Sequence, residues 1–292
     1  MKRYFAAIAL ALLGVAAWRH VSDPAAPQPM PRHKAVLPSA SIPAALANPA
    51  HATSIPAVQL ANALERAPDL RRVFDRYKAS GDPAERSAAY RAWSACYPAF
   101  IAPAGEPVTL EMVTRALPRN APDHAERVEA YRSLLGRCKE FFDLDRDGVM
   151  AEMRRQKAAW QESRALRSLE QGDVAGAVRE ARAVIASGDA YAIFSLAGFM
   201  ERYLKQEREA SQPDIRALAF YLAPCELGLE CGPDSLTALL LCANRGECEG
   251  TVADRYAHSF AGQVDREDVL RESRSVAAAI RAGDLKALGL DR

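Results

Sequence analysis

Apolar residues recur with the period of an α-helix through the chain after residue 56. The pattern is clearest in two consecutive segments: Val174, Ala177, Val178, Ala181, Val184 and Ile185, then Ile193, Leu196, Ala197, Met200 and Leu204. Spacings of three and four residues place such side chains on one face of a helix. The alternation of apolar and polar residues that marks a half-buried strand is missing from this part of the sequence. We therefore predict an all-α domain over residues 57–292, built as helical hairpins or a bundle, with residues 145–157 as the place where it would subdivide.

The breaks between these helices share a Gly-Asp dipeptide. It occurs at Gly81-Asp82, Gly172-Asp173, Gly188-Asp189 and Gly283-Asp284. Glycine can take the left-handed conformation that ends a helix, and aspartate can accept amide hydrogen bonds at the start of the next one. Each dipeptide thus predicts a helix, a tight turn and a second helix.

The segment from Ala165 to Arg202 resembles tetratricopeptide-like helical repeats. Its two Gly-Asp turns lie 16 residues apart, which is close to half of that repeat. The resemblance implies a short, repeat-like superhelix of stacked hairpins. A plain bundle of helical hairpins is the alternative.

Residues 1–20 carry the pattern of an export signal, with Lys2 and Arg3 ahead of the uncharged run Tyr4–Trp18. As a helix this run of 15 residues is about 22 Å long, which is short for a hydrocarbon core of about 30 Å. The segment is predicted to be either a cleaved signal peptide or an uncleaved anchor in the inner membrane. In both cases the remainder of the chain is periplasmic, because the positive start stays in the cytoplasm.

Residues 21–56 are rich in proline and alanine and show no helical pattern. Proline fixes φ and removes an amide donor, so such a segment favours extended conformations. We predict a semi-stiff linker between the N-terminal segment and the helical domain.

Six cysteines lie in the predicted domain: Cys96, Cys138, Cys225, Cys231, Cys242 and Cys248. Outside the cytoplasm an even set of cysteines is expected to be oxidised. Our first prediction pairs each cysteine with the next one in sequence, which staples the two halves of the domain separately. Crossed pairing among the last four, 225 with 242 and 231 with 248, is the alternative. A zinc site is disfavoured, since zinc motifs place cysteines closer together and often include histidine.

The whole chain also resembles a loose class of exported proteobacterial helical proteins. The residues that carry this resemblance are RAWSACYP at 91–98, CKEFF at 138–142 and CELGLECGPDSLTALLLCANRGEC at 225–248. It implies a helical periplasmic domain with disulfide staples and no particular activity.

A partial calcium-binding motif is the nearest approach to a metal site. Asp143, Asp145 and Asp147 match the first half of an EF-hand loop, and Gly148 falls at its sharp turn. The closing position holds Arg154 in place of a bidentate glutamate, and a cation there opposes calcium. We expect a helix break with Asp147 as its N-cap, with weak calcium binding as the alternative.

Motifs for catalysis and for phosphate or dinucleotide binding are absent: the sequence contains no G-x-S-x-G, H-E-x-x-H, G-x-x-x-x-G-K or G-x-G-x-x-G. Two histidines fall in the domain; we expect His124 to be a solvated residue at a helix start and His258 to pair with Asp254 on a helix surface. No catalytic residue and no cofactor are predicted.

Two hypotheses about function follow. The first is a non-enzymatic interaction or scaffold module of the cell envelope that binds a protein or peptide; an apolar groove poor in carboxylates would favour it. The second is an envelope hydrolase with unidentified carboxylates; a cleft holding two carboxylates of perturbed pKa would favour that. The formal net charge of +1 offers no field to attract nucleic acid. The membrane is expected as a partner only through the N-terminal segment.

The export hypothesis predicts the side of the membrane on which the C-terminus lies. A reporter that works only in the periplasm, fused after Arg292, is expected to be active in cells, because residues 2–18 direct export. The matched fusion to a reporter that works only in the cytoplasm should be inactive. Activity of that second fusion would reject the predicted compartment.

Overall fold

Helices account for all the regular secondary structure in the residues that the computed structural model describes, namely 57–100, 108–141, 151, 162–205, 214–259 and 264–291. Those residues form twelve α-helices and no strand, so the all-α prediction is confirmed. The helices are α1 (Ala57–Glu65), α2 (Leu70–Tyr77), α3 (Pro83–Phe100), α4 (Leu110–Ala116), α5 (His124–Cys138), α6 (Glu162–Glu170), α7 (Val174–Ser187), α8 (Ala190–Lys205), α9 (Ile215–Glu226), α10 (Leu236–Arg245), α11 (Val252–Ser259) and α12 (Arg266–Ala282). A 3₁₀ turn, Lys139–Phe141, extends α5.

Several sequence predictions lie outside the described residues. They concern the signal or anchor at 1–20, the linker at 21–56 and, apart from Ala151, the subdivision near 145–157. None of the described helices combines the length and the apolar character needed to cross a membrane.

The predicted left-handed glycine is present in three of the four Gly-Asp turns, but at Gly283-Asp284 no second helix follows among the described residues, so the prediction of a helix after that turn is wrong. Left-handed glycines occur at Gly172, Gly188 and Gly283, with φ of 82°, 65° and 65°. Gly81 is the exception, because its φ is not positive. The turn there is instead made by Asp82, whose carboxylate accepts hydrogen bonds from the amides of residues 84 and 85 at 2.7 and 3.2 Å.

The first part of the core joins helices from distant parts of the sequence. Leu64, Phe74 and Leu134 belong to α1, α2 and α5, and they pack in one cluster with Tyr191 of α8 and Leu236 of α10. The two halves of the domain therefore share a core and are not separate bodies.

The second part of the core lies among α6–α9 and α12. It is built on the predicted apolar faces of α7 and α8, and α9 packs against both α8 and α12. Val174 departs from the prediction: it is 43% exposed, because it is the first residue of α7 and lies at the end of the packed face. A smaller third cluster connects α9, α10, α11 and α12.

Each cysteine is paired with its neighbour in sequence, as first predicted. The Cα–Cα distances are 5.5 Å for Cys96–Cys138, 5.7 Å for Cys225–Cys231 and 4.2 Å for Cys242–Cys248, all within or close to the usual range for a disulfide. The first bridge is buried between α3 and α5. The other two close short loops after α9 and α10, and no cysteine is left free.

A single asparagine docks α1 onto the first short cystine loop. Asn62 donates to the carbonyl of Gly228 at 2.9 Å and accepts from the amide of Glu230 at 2.6 Å. Arg66, the residue directly after α1, adds an ion pair with Glu230. The N-terminal helix is thus held by a loop that lies 166 residues later in the chain.

Arg255 of α11 connects the segments around both short cystine loops. It is 5% exposed, and its guanidinium donates to the carbonyls of Pro233, Ala238 and Gly250 at 3.3, 2.5 and 3.0 Å. Because three carbonyls satisfy the donors, the cation is accommodated without a contacting carboxylate.

The bridges are predicted to differ in how much they stabilise the domain. In the chain-entropy model Cys96–Cys138, which spans 42 residues, contributes about 4 kcal/mol and each short bridge about 2.3 kcal/mol. The double variant Cys96→Ser with Cys138→Ser is therefore expected to lose about 1.7 kcal/mol more unfolding free energy than either short-bridge double variant. The two serine hydroxyls that replace the buried Cys96 and Cys138 would lower the unfolding free energy further, because they lie in the core.

Chemical denaturation followed by circular dichroism measures these differences, and non-reducing peptide mapping verifies the pairs. Equal losses for all three double variants would contradict the loop-length argument. A peptide joining Cys96 to any of the last four cysteines would contradict the pairing.

Candidate functional site

The ends of three helices converge on the second short cystine loop and enclose a cleft. Its walls are the first turn of α5, residues 245–250, one side of α11 and the start of α12, and its volume is about 1040 Å³. This is the size of a site that holds a small ligand or a short peptide segment. We refer to it as the acidic cleft.

Six carboxylates line the acidic cleft, against two arginines and one histidine. The carboxylates are Asp123, Glu126, Glu247, Glu249, Asp254 and Asp265. With His258 neutral the lining carries a formal charge of −4, although the whole chain is nearly neutral. The cleft therefore has a local negative potential suited to a cation.

Part of this charge is explained by helix capping. Asp265 accepts hydrogen bonds from the amides of residues 267 and 268 and so caps α12. Asp254 accepts from the side chain and the amide of Thr251, at 2.7 and 2.9 Å, and pairs with Arg266. Carboxylates at helix starts also interact favourably with the helix dipole.

The remaining carboxylates are less committed. Glu126 and Glu249 are exposed and make no hydrogen bond or ion pair with any residue in the described part of the chain. Glu247 lies 3.6 Å from the imidazole of His258, whose side chain is 77% exposed. Glu126 and Glu249 are therefore the carboxylates free to meet a positively charged ligand, whereas the Glu247 side chain is only 16% exposed and Asp123 lies 3.8 Å from Arg127.

Asp254 of the acidic cleft does not fit the role of a protonated carboxylic acid in a hydrolase centre. The hydrogen bonds from Thr251 and the ion pair with Arg266 lower the pKa of Asp254, so this group is ionised at neutral pH. Burial does raise the pKa of Asp189. That residue, however, is 6% exposed and caps α8 by accepting from the amides of Tyr191 and Ala192. A general acid needs both a raised pKa and access to substrate.

The two histidines of the domain differ from their predicted roles. His258 does not pair with Asp254, because Thr251 and Arg266 occupy that carboxylate. His124 does begin α5, but it is half-buried, and its Nδ1 is shielded and finds no partner among the described residues. The expectation of a solvated position is therefore wrong.

The calcium-loop candidates Asp143, Asp145 and Asp147 lie outside the described residues. Within the described ranges, no group of three or more histidine, cysteine, aspartate or glutamate residues is placed to hold a metal ion.

A second polar cluster, which the sequence reasoning missed, is centred on Glu65 at the end of α1. Its carboxylate is 0% exposed and accepts three hydrogen bonds: from the Tyr191 hydroxyl at 2.7 Å, the Thr237 hydroxyl at 2.7 Å and the Thr237 amide at 2.8 Å. Arg137 donates to the backbone carbonyl of Glu65 at 2.9 Å. Three helices besides α1 therefore contribute donors to one residue.

Arg91 of α3 completes this cluster. Its guanidinium donates to the Thr237 hydroxyl at 3.1 Å and lies 5.6 Å from the centre of the Tyr191 ring. Burial, followed by the negative charge of Glu65, raises the pKa of Tyr191 well above its usual range, so its hydroxyl remains a donor. The carboxylate is saturated and shielded from solvent, which indicates a structural role.

Comparison of the chain with family models, curated proteins and solved structures found no match. The acidic cleft is the candidate site on its geometry and charge alone.

The structural role of Glu65 predicts a large effect from a nearly isosteric change. In Glu65→Gln the new amide group would face donors, leaving at least one buried donor unsatisfied, which costs about 2 kcal/mol of unfolding free energy. The control is Glu129→Gln on α5, a side chain that is 65% exposed, for which a change within about 0.5 kcal/mol is expected. Urea unfolding at neutral pH measures both, and a Glu65→Gln protein as stable as wild type would show that the carboxylate is not required.

Proposed function

We propose that this protein is a non-enzymatic binding module of the cell envelope whose acidic cleft holds a basic segment of a partner protein. The observation that carries the proposal is the charge of the acidic cleft, where six carboxylates face two arginines. An apolar groove poor in carboxylates would favour an interaction module with an apolar partner, and the acidic cleft is not such a groove. Its carboxylates instead make a positively charged segment the suitable partner.

The lining is suited to binding several positive charges at once. Glu126 lies on α5, whereas Glu249 directly follows the second short cystine loop, so uncommitted carboxylates are found on two different walls. A peptide with lysine or arginine at neighbouring positions can meet both walls. Such pairs mainly determine the association rate and the specificity of a complex.

The envelope location is supported by the three disulfides. Bridges of this kind persist in oxidising compartments and are rare in the cytoplasm. The N-terminal pattern of a positive start and an apolar run points to the same compartment.

The alternative, an envelope hydrolase, is less well supported. It needs a carboxylic acid that stays protonated beside the substrate. Asp254 in the acidic cleft has a lowered pKa, and Asp189, whose pKa is raised, caps a helix and does not line the acidic cleft.

A labelled basic peptide tests the proposal. The full-length protein is expected to bind a fluorescent peptide containing several arginines, and binding should weaken as salt rises because the attraction is electrostatic. The double variant Glu126→Gln with Glu249→Gln removes two uncommitted charges. At roughly 0.5 kcal/mol for each exposed pair, the dissociation constant should rise about fivefold.

The matched control removes two charges away from the acidic cleft. Glu111→Gln with Glu201→Gln alters exposed side chains on α4 and α8 and should leave affinity for the peptide nearly unchanged. Fluorescence anisotropy measures all three proteins. An equal loss in both double variants would show that the peptide senses only overall charge, and absence of binding to wild type would reject the proposal.

A further inference from the structure

Residues 247–249, which form one wall of the acidic cleft, have few contacts besides the Cys242–Cys248 bridge. Residues 247–249 make no hydrogen bond with any residue in the described ranges. Their one polar contact with a described residue is the pair between Glu247 and the largely exposed His258. Cys248 is half-buried against the first part of the core, and its bridge to Cys242 is the covalent tie that holds this segment to α10.

The neighbouring cystine loop, at residues 225–231, is held differently. Asn62 contacts the carbonyl of Gly228 and the amide of Glu230, and the amide of Leu229 donates to the carbonyl of Pro224 at 2.9 Å. The Leu229 side chain is also buried in the core. This loop has fixed contacts besides its bridge, so it serves as an internal comparison.

The structure on both sides of residues 247–249 is anchored independently of the bridge. Arg127 of α5 donates to the carbonyl of Ala243 at 3.2 and 3.1 Å, and Tyr131 donates to the side chain of Asn244 at 3.2 Å. On the other side, Arg255 holds the carbonyl of Gly250. Loss of the bridge would therefore release the cleft wall while leaving α10 and α11 in place.

We propose that the Cys242–Cys248 bridge is a redox-sensitive clasp: a dithiol that reduces it opens the acidic cleft, and the domain keeps its fold. The effect on ligand binding rests on the function proposed above, whereas the release of residues 247–249 does not. The other two bridges lack this role, because one is buried in the core and the loop of the other is held by α1.

The chemistry is thiol–disulfide exchange. A thiolate of the dithiol attacks Sγ of the half-buried Cys248, forming a mixed disulfide and releasing the Cys242 thiolate. The second thiol of the reductant then displaces the Cys248 sulfur and closes a cyclic disulfide. Two electrons pass from the dithiol to the bridge, and the two protons of the dithiol end on the cysteine thiols.

Hydrogen exchange detected by mass spectrometry tests the clasp without any ligand. In full-length Cys242→Ser with Cys248→Ser, exchange at residues 246–250 should rise about tenfold or more, while α5 and α10 exchange as in wild type. In the control, Cys225→Ser with Cys231→Ser, exchange at residues 226–230 should rise much less, because Asn62 still holds that loop. Wild type treated with dithiothreitol should reproduce the rise at residues 246–250.

Three results would overturn the clasp. The first is unchanged exchange at residues 246–250 in a folded Cys242→Ser, Cys248→Ser protein, and the second is an equal rise at residues 246–250 in the Cys225→Ser, Cys231→Ser control. The third is loss of helical circular dichroism both in the Cys242→Ser, Cys248→Ser protein and in reduced wild type. The last would mean that the bridge supports the whole fold.

The arginine-containing peptide then tests the consequence for binding. The oxidised protein should bind it about fivefold or more tightly than Cys242→Ser with Cys248→Ser, and the control pair should bind like wild type. Equal binding by oxidised wild type and this variant would overturn the link to the acidic cleft. If oxidised wild type does not bind the peptide, the proposed function fails, and the exchange result still decides the clasp.

Discussion

The burial of one carboxylate determines how the first half of the domain is arranged. A carboxyl group without access to water is tolerated only when its hydrogen-bonding capacity is filled. Glu65 meets this condition through Tyr191 and Thr237, which lie 126 and 172 residues away in sequence. Since the donors belong to α8 and α10, and Arg137 adds a bond from α5 to the same residue, α1 can dock in one register only. The shared core and the hold on the first cystine loop depend on that register.

The features that could be predicted from the sequence are those encoded over short distances. Helical periodicity, left-handed glycines such as Gly188 and the pairing of cysteines six positions apart all depend on near neighbours. Glu65 gave a local signal too, because it shares the buried face of α1 with Ala61 and Leu64. Its donors could not be found in this way, since no local pattern connects a helix end to residues more than a hundred positions later.

The acidic cleft shows a second limit of sequence reasoning. Carboxylates such as Asp254 and Asp265 are each accounted for as helix caps, and only the convergence of three helix starts makes them one negative surface. The prediction that His258 pairs with Asp254 is wrong for the same reason. A spacing of four residues placed it beside Asp254, but that carboxylate is occupied by Thr251, three residues before it, and by Arg266 on the next helix.

The connectivity of the bridges has a consequence for the order in which the molecule is assembled. The three bridges join consecutive cysteines along the chain, so a polypeptide that emerges from its N-terminus can be oxidised pair by pair. Helix α1 differs from the bridges, because its side-chain hydrogen bonds are with residues far later in the sequence. It emerges before the other described helices, and Thr237, which donates to Glu65, lies 172 residues later. Closure of the domain is thus delayed until most of the chain has been made, and a protein arrested before that point would present an open, unclosed core to quality-control proteases.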